Sequence, residues 1–96
     1  MQQEDLDPIT RSQNELRWYF DYIAETDAMV AEMRANDLVN RVRHRQAFNR
    51  YQQELIGILT NNITDTVNAA MLLIDDLHER GAGEMPIPAE IQGYFN

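Results

Sequence analysis

From Ile9 onward the large apolar side chains return at a fixed step. Ile9, Leu16, Ile23 and Val30 lie seven residues apart, with Tyr19, Phe20 and Met33 at positions three or four residues along. Side chains at that spacing share one face of an α-helix, so the pattern predicts a helix-packing seam. Asp7 offers an N-cap acceptor and Pro8 sits at the first helical position, where its missing N–H costs nothing. Helix formers continue to Ala35 without Gly or Pro. The first helix is therefore predicted over about residues 8–35, after an acidic arm over residues 1–7. Asn36-Asp37 compete with helical backbone hydrogen bonds and favour caps, so the chain is predicted to reverse there and begin a second helix at Leu38.

The second apolar stripe is thin at Val42, Phe48 and Tyr51 and dense at Leu55, Ile56, Leu59, Ile63, Val67, Ala70, Ile74 and Leu77. From Leu59 its steps of four and three keep a constant phase, which predicts one helix over residues 38–80. Against that stands the polar run from Thr60 to Thr66, each residue costing on the order of 0.5 kcal/mol relative to alanine. A break near Asn61-Asn62 would instead give a three-helix bundle monomer. An unbroken second helix would reach about 65 Å, beyond what one hairpin partner can cover, and calls for a second copy. The expected fold is thus all-α: an antiparallel helical hairpin self-associated into a bundle, dimeric or larger.

Gly81-Ala82-Gly83 is expected to end the helix through a left-handed glycine, and Pro86 and Pro88 to hold residues 81–96 as an extended linker and tail. That tail ends with Ile91, Tyr94 and Phe95. Exposed ends seldom carry so much apolar surface, so these three are expected to dock on this chain's own bundle or on a partner. On the first helix, Trp18, Tyr19, Phe20 and Tyr22 wrap more than half the circumference. One side must be buried, and Trp18, Tyr19 and Tyr22 are candidates to meet a second chain.

Charge narrows the partner classes. The net charge is -8 and no cysteine is present, which removes disulfides and thiolate chemistry and works against binding nucleic acid or anionic lipid. No run approaches the ~18 apolar residues of a membrane span, and the first residues lack a basic leader, so no membrane association and a cytoplasmic location are expected. The basic residues, all arginine, cluster: Arg41, Arg43, Arg45 and Arg50 stand together in a stretch without an acid. If the chain folds back near Asn36, that stretch lies beside Glu25, Asp27 and Glu32 and forms a rim of ion pairs. The alternative is a nucleotide or nucleic-acid site, with these arginines gripping phosphate while Phe48 or Tyr51 stacks on a base.

Catalytic chemistry finds little support. Asp75-x-x-His78 is a single acid–histidine pair where di-metal bundles need two, so neither a metal site nor a cofactor is expected. Ser12 is the only serine and lies in no nucleophile elbow, and the four glycines form no phosphate loop. Asp76 and Arg80 have the spacing of an ordinary surface pair.

Gln13-x-x-Leu16-x-x-Tyr19-Phe20 resembles the clamp-interacting box of replication and repair proteins, in which a glutamine, an aliphatic and two aromatics plug a pocket on the sliding clamp. The resemblance covers eight residues and implies sliding-clamp binding. The tail repeats its apolar part as Ile91-x-x-Tyr94-Phe95, with Pro88 in place of the glutamine. Taken together, the residues lead to a small acidic non-enzymatic protein that works by protein–protein interaction, as an adaptor, regulator or inhibitor of a larger assembly. The other readings are the arginine-based nucleotide or nucleic-acid site, clamp binding, and an acidic mimic of nucleic acid that inhibits a basic partner.

Overall fold

A computed structural model describes residues 7–44 and 50–96, with side chains described for residues 7–38 and 50–96. The fold is all-α. Helix α1 spans Pro8–His44, helix α2 spans Arg50–Glu79, and a 3₁₀ helix spans Ala89–Tyr94. α1 and α2 pack antiparallel along their length, and the tail carrying the 3₁₀ helix folds back onto them.

The start of α1 follows from Asp7. Its Oδ1 accepts the Thr10 backbone N–H at 2.8 Å, its Oδ2 accepts the Thr10 hydroxyl at 2.8 Å, and its carbonyl opens the helical ladder to Arg11 N–H. The backbone hydrogen bond from Thr10, followed by the Thr10 hydroxyl, holds the Asp7 carboxyl below its ordinary value of 3.8. A depressed carboxyl stabilises the fold above its unfolded pKa, and that contribution disappears as pH falls through the lower folded value. Asp7→Ala is accordingly expected to lower the melting temperature at pH 7 and to have a vanishing effect at the lowest pH, as followed by circular dichroism.

Two boundaries differ from the sequence expectation. α1 does not stop at Asn36-Asp37 but runs nine residues past Ala35, and the chain reverses between His44 and Arg50. Position 37 continues the seven-residue seam of Ile9, Leu16, Ile23 and Val30, and Asp37 is buried there. Packing along the seam overrides the local capping preference of the Asn-Asp pair. α2 also passes unbroken through Asn61-Asn62, so the three-helix alternative does not hold. Thr60, Thr64 and Thr66 turn their hydroxyls onto the carbonyls of Ile56, Thr60 and Asn62 at 2.7, 3.2 and 2.8 Å. Their polar groups are thereby satisfied inside the helix, while Ile63 and Val67 stay buried in phase.

These boundaries remove the overhang that called for a second copy. α1 and α2, at 37 and 30 residues, are about 55 and 45 Å long and cover one another. The molecule is still elongated: its radius of gyration is 17.5 Å, against about 12 to 13 Å for a compact chain of this length.

α2 ends as the glycine predicts. Gly81 has φ +79°, Ala82 N–H reaches the Leu77 carbonyl and Gly81 N–H the His78 carbonyl, each at 3.0 Å. These are the paired bonds of a Schellman cap. Gly81→Val would force a branched side chain into left-handed backbone and is expected to cost about 1 to 2 kcal/mol in urea unfolding. Arg80 ties the open end together, donating to Ser12 Oγ at 2.8 Å and pairing with Asp76 at 2.7 Å.

The core is one seam. Leu16, Phe20, Ile23 and Val30 of α1 meet Ile63, Val67, Ala70 and Leu77 of α2, and Ile91 enters from the tail at 1% exposure.

Candidate functional site

The hairpin has two broad sides, and the tail covers only one. At about 100° per residue, Phe20 and Asp27 lie to one side of the Leu16–Ile23–Val30 core line, while Trp18, Tyr22, Met29 and Met33 lie to the other. On α2, Ile74 turns toward the tail side. Tyr51, Ile58 and Ala69 share the opposite flank, at steps of seven and eleven, and Leu72 lies beyond them on the back of α2, opposite Ile63. Because the helices run antiparallel, flanks reached by the same sense of rotation about each axis fall on the same side of the hairpin. Tyr22, Met29 and Met33 therefore share a face with Tyr51, Ile58 and Ala69, and Trp18 stands at its outer edge.

The tail side is closed by specific contacts. The Phe95 ring meets Phe20 edge-on at 5.7 Å, the Tyr94 hydroxyl donates to Asp27 Oδ1, and Gln92 Nε2 donates to the Ile87 carbonyl at 3.1 Å. Asp27 hydrogen bonding, then burial, raises the Tyr94 hydroxyl above its ordinary 10.0. A raised pKa gives stability that is complete below the unfolded value and is lost as pH climbs through the folded one. Tail docking should thus weaken only at strongly alkaline pH. Subtracting a Tyr94→Phe alkaline titration from that of the parent protein, by tyrosinate absorbance, should leave one ionisation above 10.

The opposite face is open. Trp18 is 61% exposed, Leu72 72% and Ile58 57%, with Met29 also exposed. Trp18 stacks on Tyr22 with centroids 5.7 Å apart and meets the Tyr19 edge at 5.8 Å. The two rings are held as one block, so the surface is preorganised rather than a set of loose side chains. Tyr19 packs against the core and donates its hydroxyl to Glu15 Oε1 at 2.8 Å. That hydrogen bond, then burial, raises its pKa.

Pairing of Ser12 with Arg80 sets Trp18 and Tyr22 level with Leu72, and Met33 level with Ile58. The face therefore carries Trp18 and Tyr22 toward the open end and Met33 and Ile58 toward the turn.

Of the residues singled out from the sequence, Trp18 and Tyr22 lie on this face and Tyr19 at its edge. Ile91, Tyr94 and Phe95 turn back onto this chain's own helices. Arg50 is exposed and pairs with Glu54 at 3.5 Å, and Tyr51 is exposed at the start of α2. The side chains of Arg41, Arg43, Arg45 and Phe48 lie outside the described residues. Arg41 and Arg43 belong to the end of α1, not to a second helix, so the expected rim with Glu25, Asp27 and Glu32 is out of register. α1's nine extra residues carry Arg41 and Arg43 beyond Glu25 and Glu32 on the same helix, and Asp27 instead accepts from Tyr94.

Leu16 and Phe20, two side chains of the clamp-box resemblance, are buried in the core. A clamp pocket could reach them only after the helix was pulled from its hairpin. Met29, Ile58 and Leu72 were not singled out from the sequence, although a second heptad on α2, positions 51, 58, 65 and 72, was there to be read. The aspartate at 65 hides it.

Two grooves accompany these faces. One of about 580 Å³ runs under the tail between Leu16, Ile74, His78 and Met85, and one of about 700 Å³ lies toward the turn between Leu38, Ile56 and Thr60. Among the described residues no group of acids and histidines is placed to hold a metal ion, and no helix is long and apolar enough to cross a membrane. No family model, curated protein or solved structure matches this chain.

Proposed function

We propose that this protein acts by binding another protein through the open face of its hairpin, without catalysis. The observation that carries this is the exposure of Trp18, Met29 and Ile58, with half-buried Tyr22 stacked on Trp18, on the side the tail leaves bare. A chain that seals one side of its hairpin with its own apolar tail has the means to seal the other. Burying these large apolar side chains against a partner would be favourable. The stacked Trp18–Tyr22 pair has the composition of an interface anchor: large, amphipathic and already ordered.

Hydroxyl-radical footprinting tests this. Side-chain oxidation is compared between the purified protein and the same protein in an extract of the cells that make it. Trp18, Met29 and Ile58 are expected to be protected several-fold in the extract, while Met71, exposed on the tail side, is modified equally in both. Equal oxidation of Trp18, Met29 and Ile58 in the two samples would overturn the proposal.

A further inference from the structure

We propose that the cavity under the tail is a binding site for a small hydrophobic amine, a molecule with an aromatic or branched-alkyl body and one protonated amino group. The site lies on the tail side of the hairpin and stands independently of the open face.

The chain builds this cavity by following α2 with a stiff strap. Gly81 turns the backbone out of the helix with its positive φ, and residues 82–88 form no regular secondary structure. Pro86 and Pro88 fix φ within that stretch, and Pro88 is extended at φ -53° and ψ 138°. Beyond the strap the tail is anchored by buried Ile91 and by Phe95 against Phe20. Between the Gly81 turn and that anchor, strap and helices leave a cavity of about 580 Å³, within the ~300 to 1,000 Å³ of small-molecule sites.

The body of the guest follows from the apolar lining. Leu16, Ile74 and Leu77 contribute from the helices, and Met85 and Ile87 from the strap. Such surfaces gain by taking rings or branched alkyl groups out of water. The unbranched Met85 thioether adapts to the shape of a guest and makes favourable contacts with aromatic edges.

Its charge follows from the polar lining. Asp75 and Glu84 border the cavity, and no Lys or Arg does. Among the described residues neither carboxylate has an ion-pair or hydrogen-bond partner. Arg17 and Arg80 stand at the same end of the hairpin, but Arg17 donates to Asn14, and Arg80 donates to Ser12 and pairs with Asp76. Gln92 gives its Nε2 to the Ile87 carbonyl and keeps its Oε1 as an acceptor. His78, one turn along from Asp75, also lines the cavity and accepts through one ring nitrogen when neutral. An ammonium group carries three donors and no acceptor, so this rim suits it, whereas an anionic guest would be repelled.

The test uses the full chain and three probes that share a two-ring body: diphenylmethylamine, diphenylmethanol and diphenylacetate. Titration followed by nitrogen–proton NMR gives the affinity and places the probe. The amine is expected to bind 1:1 and to move the amide signals of His78, Met85 and Ile87 while those of Tyr22 and Ile58 stay in place. It should bind at least about fivefold tighter than the alcohol, with the acid weakest, and added salt should narrow the gap. Because the tail forms one wall, bound amine should also slow hydrogen exchange over residues 84–96.

Asp75→Asn combined with Glu84→Gln keeps the shape of the rim and removes both charges. Circular dichroism should show the parent's helical signal, and amine and alcohol should then bind alike. An amine that binds the parent no tighter than the alcohol, or an amine preference that survives the double variant, would overturn the cationic assignment. If no probe moves the His78, Met85 and Ile87 signals at millimolar concentration, the cavity is not a ligand site. Neither result bears on the open face, which the extract footprint tests separately.

Discussion

Ile23→Ala is expected to lower the unfolding free energy by about 3 kcal/mol, a large share of the roughly 5 to 14 kcal/mol a domain of this size holds. Ile23 is fully buried midway along the α1 seam, enclosed by α2. Removing its outer carbons loses their transfer energy and leaves a cavity that two long, mutually supporting helices cannot collapse to fill. Urea unfolding followed by circular dichroism should show a lower midpoint at an unchanged slope, and the melting temperature should fall by roughly 12 to 20 °C.

Ile58→Ala, on the open face, is the matched control and should change stability by less than about 0.5 kcal/mol. Equal effects at the two positions would mean that the open face contributes to this chain's own stability, and would undo the distinction between core and docking surface.

Ile91→Asp should release the tail. Ile91 is the one fully buried side chain that the tail contributes, and a carboxylate in its place would be buried without a partner. The chain avoids that cost by letting the 3₁₀ helix detach, which also gives up the Phe95–Phe20 and Tyr94–Asp27 contacts. The expected loss is about 3 kcal/mol, the burial of one aliphatic side chain and part of one aromatic, less the conformational entropy regained.

Hydrogen exchange over residues 84–96 should become fast while the α1 and α2 amides stay protected. Truncation after Gly83 should reproduce the loss, and both forms should associate at micromolar concentration through the newly bared Phe20 side. A tail that stays protected in Ile91→Asp would mean that Tyr94 and Phe95 hold it without the buried anchor.

The architecture was legible wherever one residue type has a single local use. Asp7-Pro8 marked the start of α1, Gly81 marked the end of α2, and the Ile9–Leu16–Ile23–Val30 step marked the face of contact. Legibility failed where a polar residue occupies a packing position. Asn36-Asp37 read as a cap because their side chains favour caps, yet the seam runs on through Asp37 and keeps the backbone helical. Thr60 to Thr66 read as a possible break because propensity is additive along the chain, yet threonine hydroxyls can bond within the helix.

The open face was half legible. The aromatic run at residues 18–22 pointed to it, but its α2 half depends on Ile58 sharing a side with Tyr22 and Met33. That relation follows only once the turn is known to lie between His44 and Arg50, since the position of the turn sets which residues stand level.

The tail also sets the molecule's valency. A hairpin bare on both broad sides could be gripped twice and would hand on a fresh adhesive surface at every step, the recipe for filaments. With Ile91 and Phe95 clasping one side, each engagement ends the chain of contacts. If the open face binds a partner as proposed, a hairpin closed in this way meets it on one broad side alone.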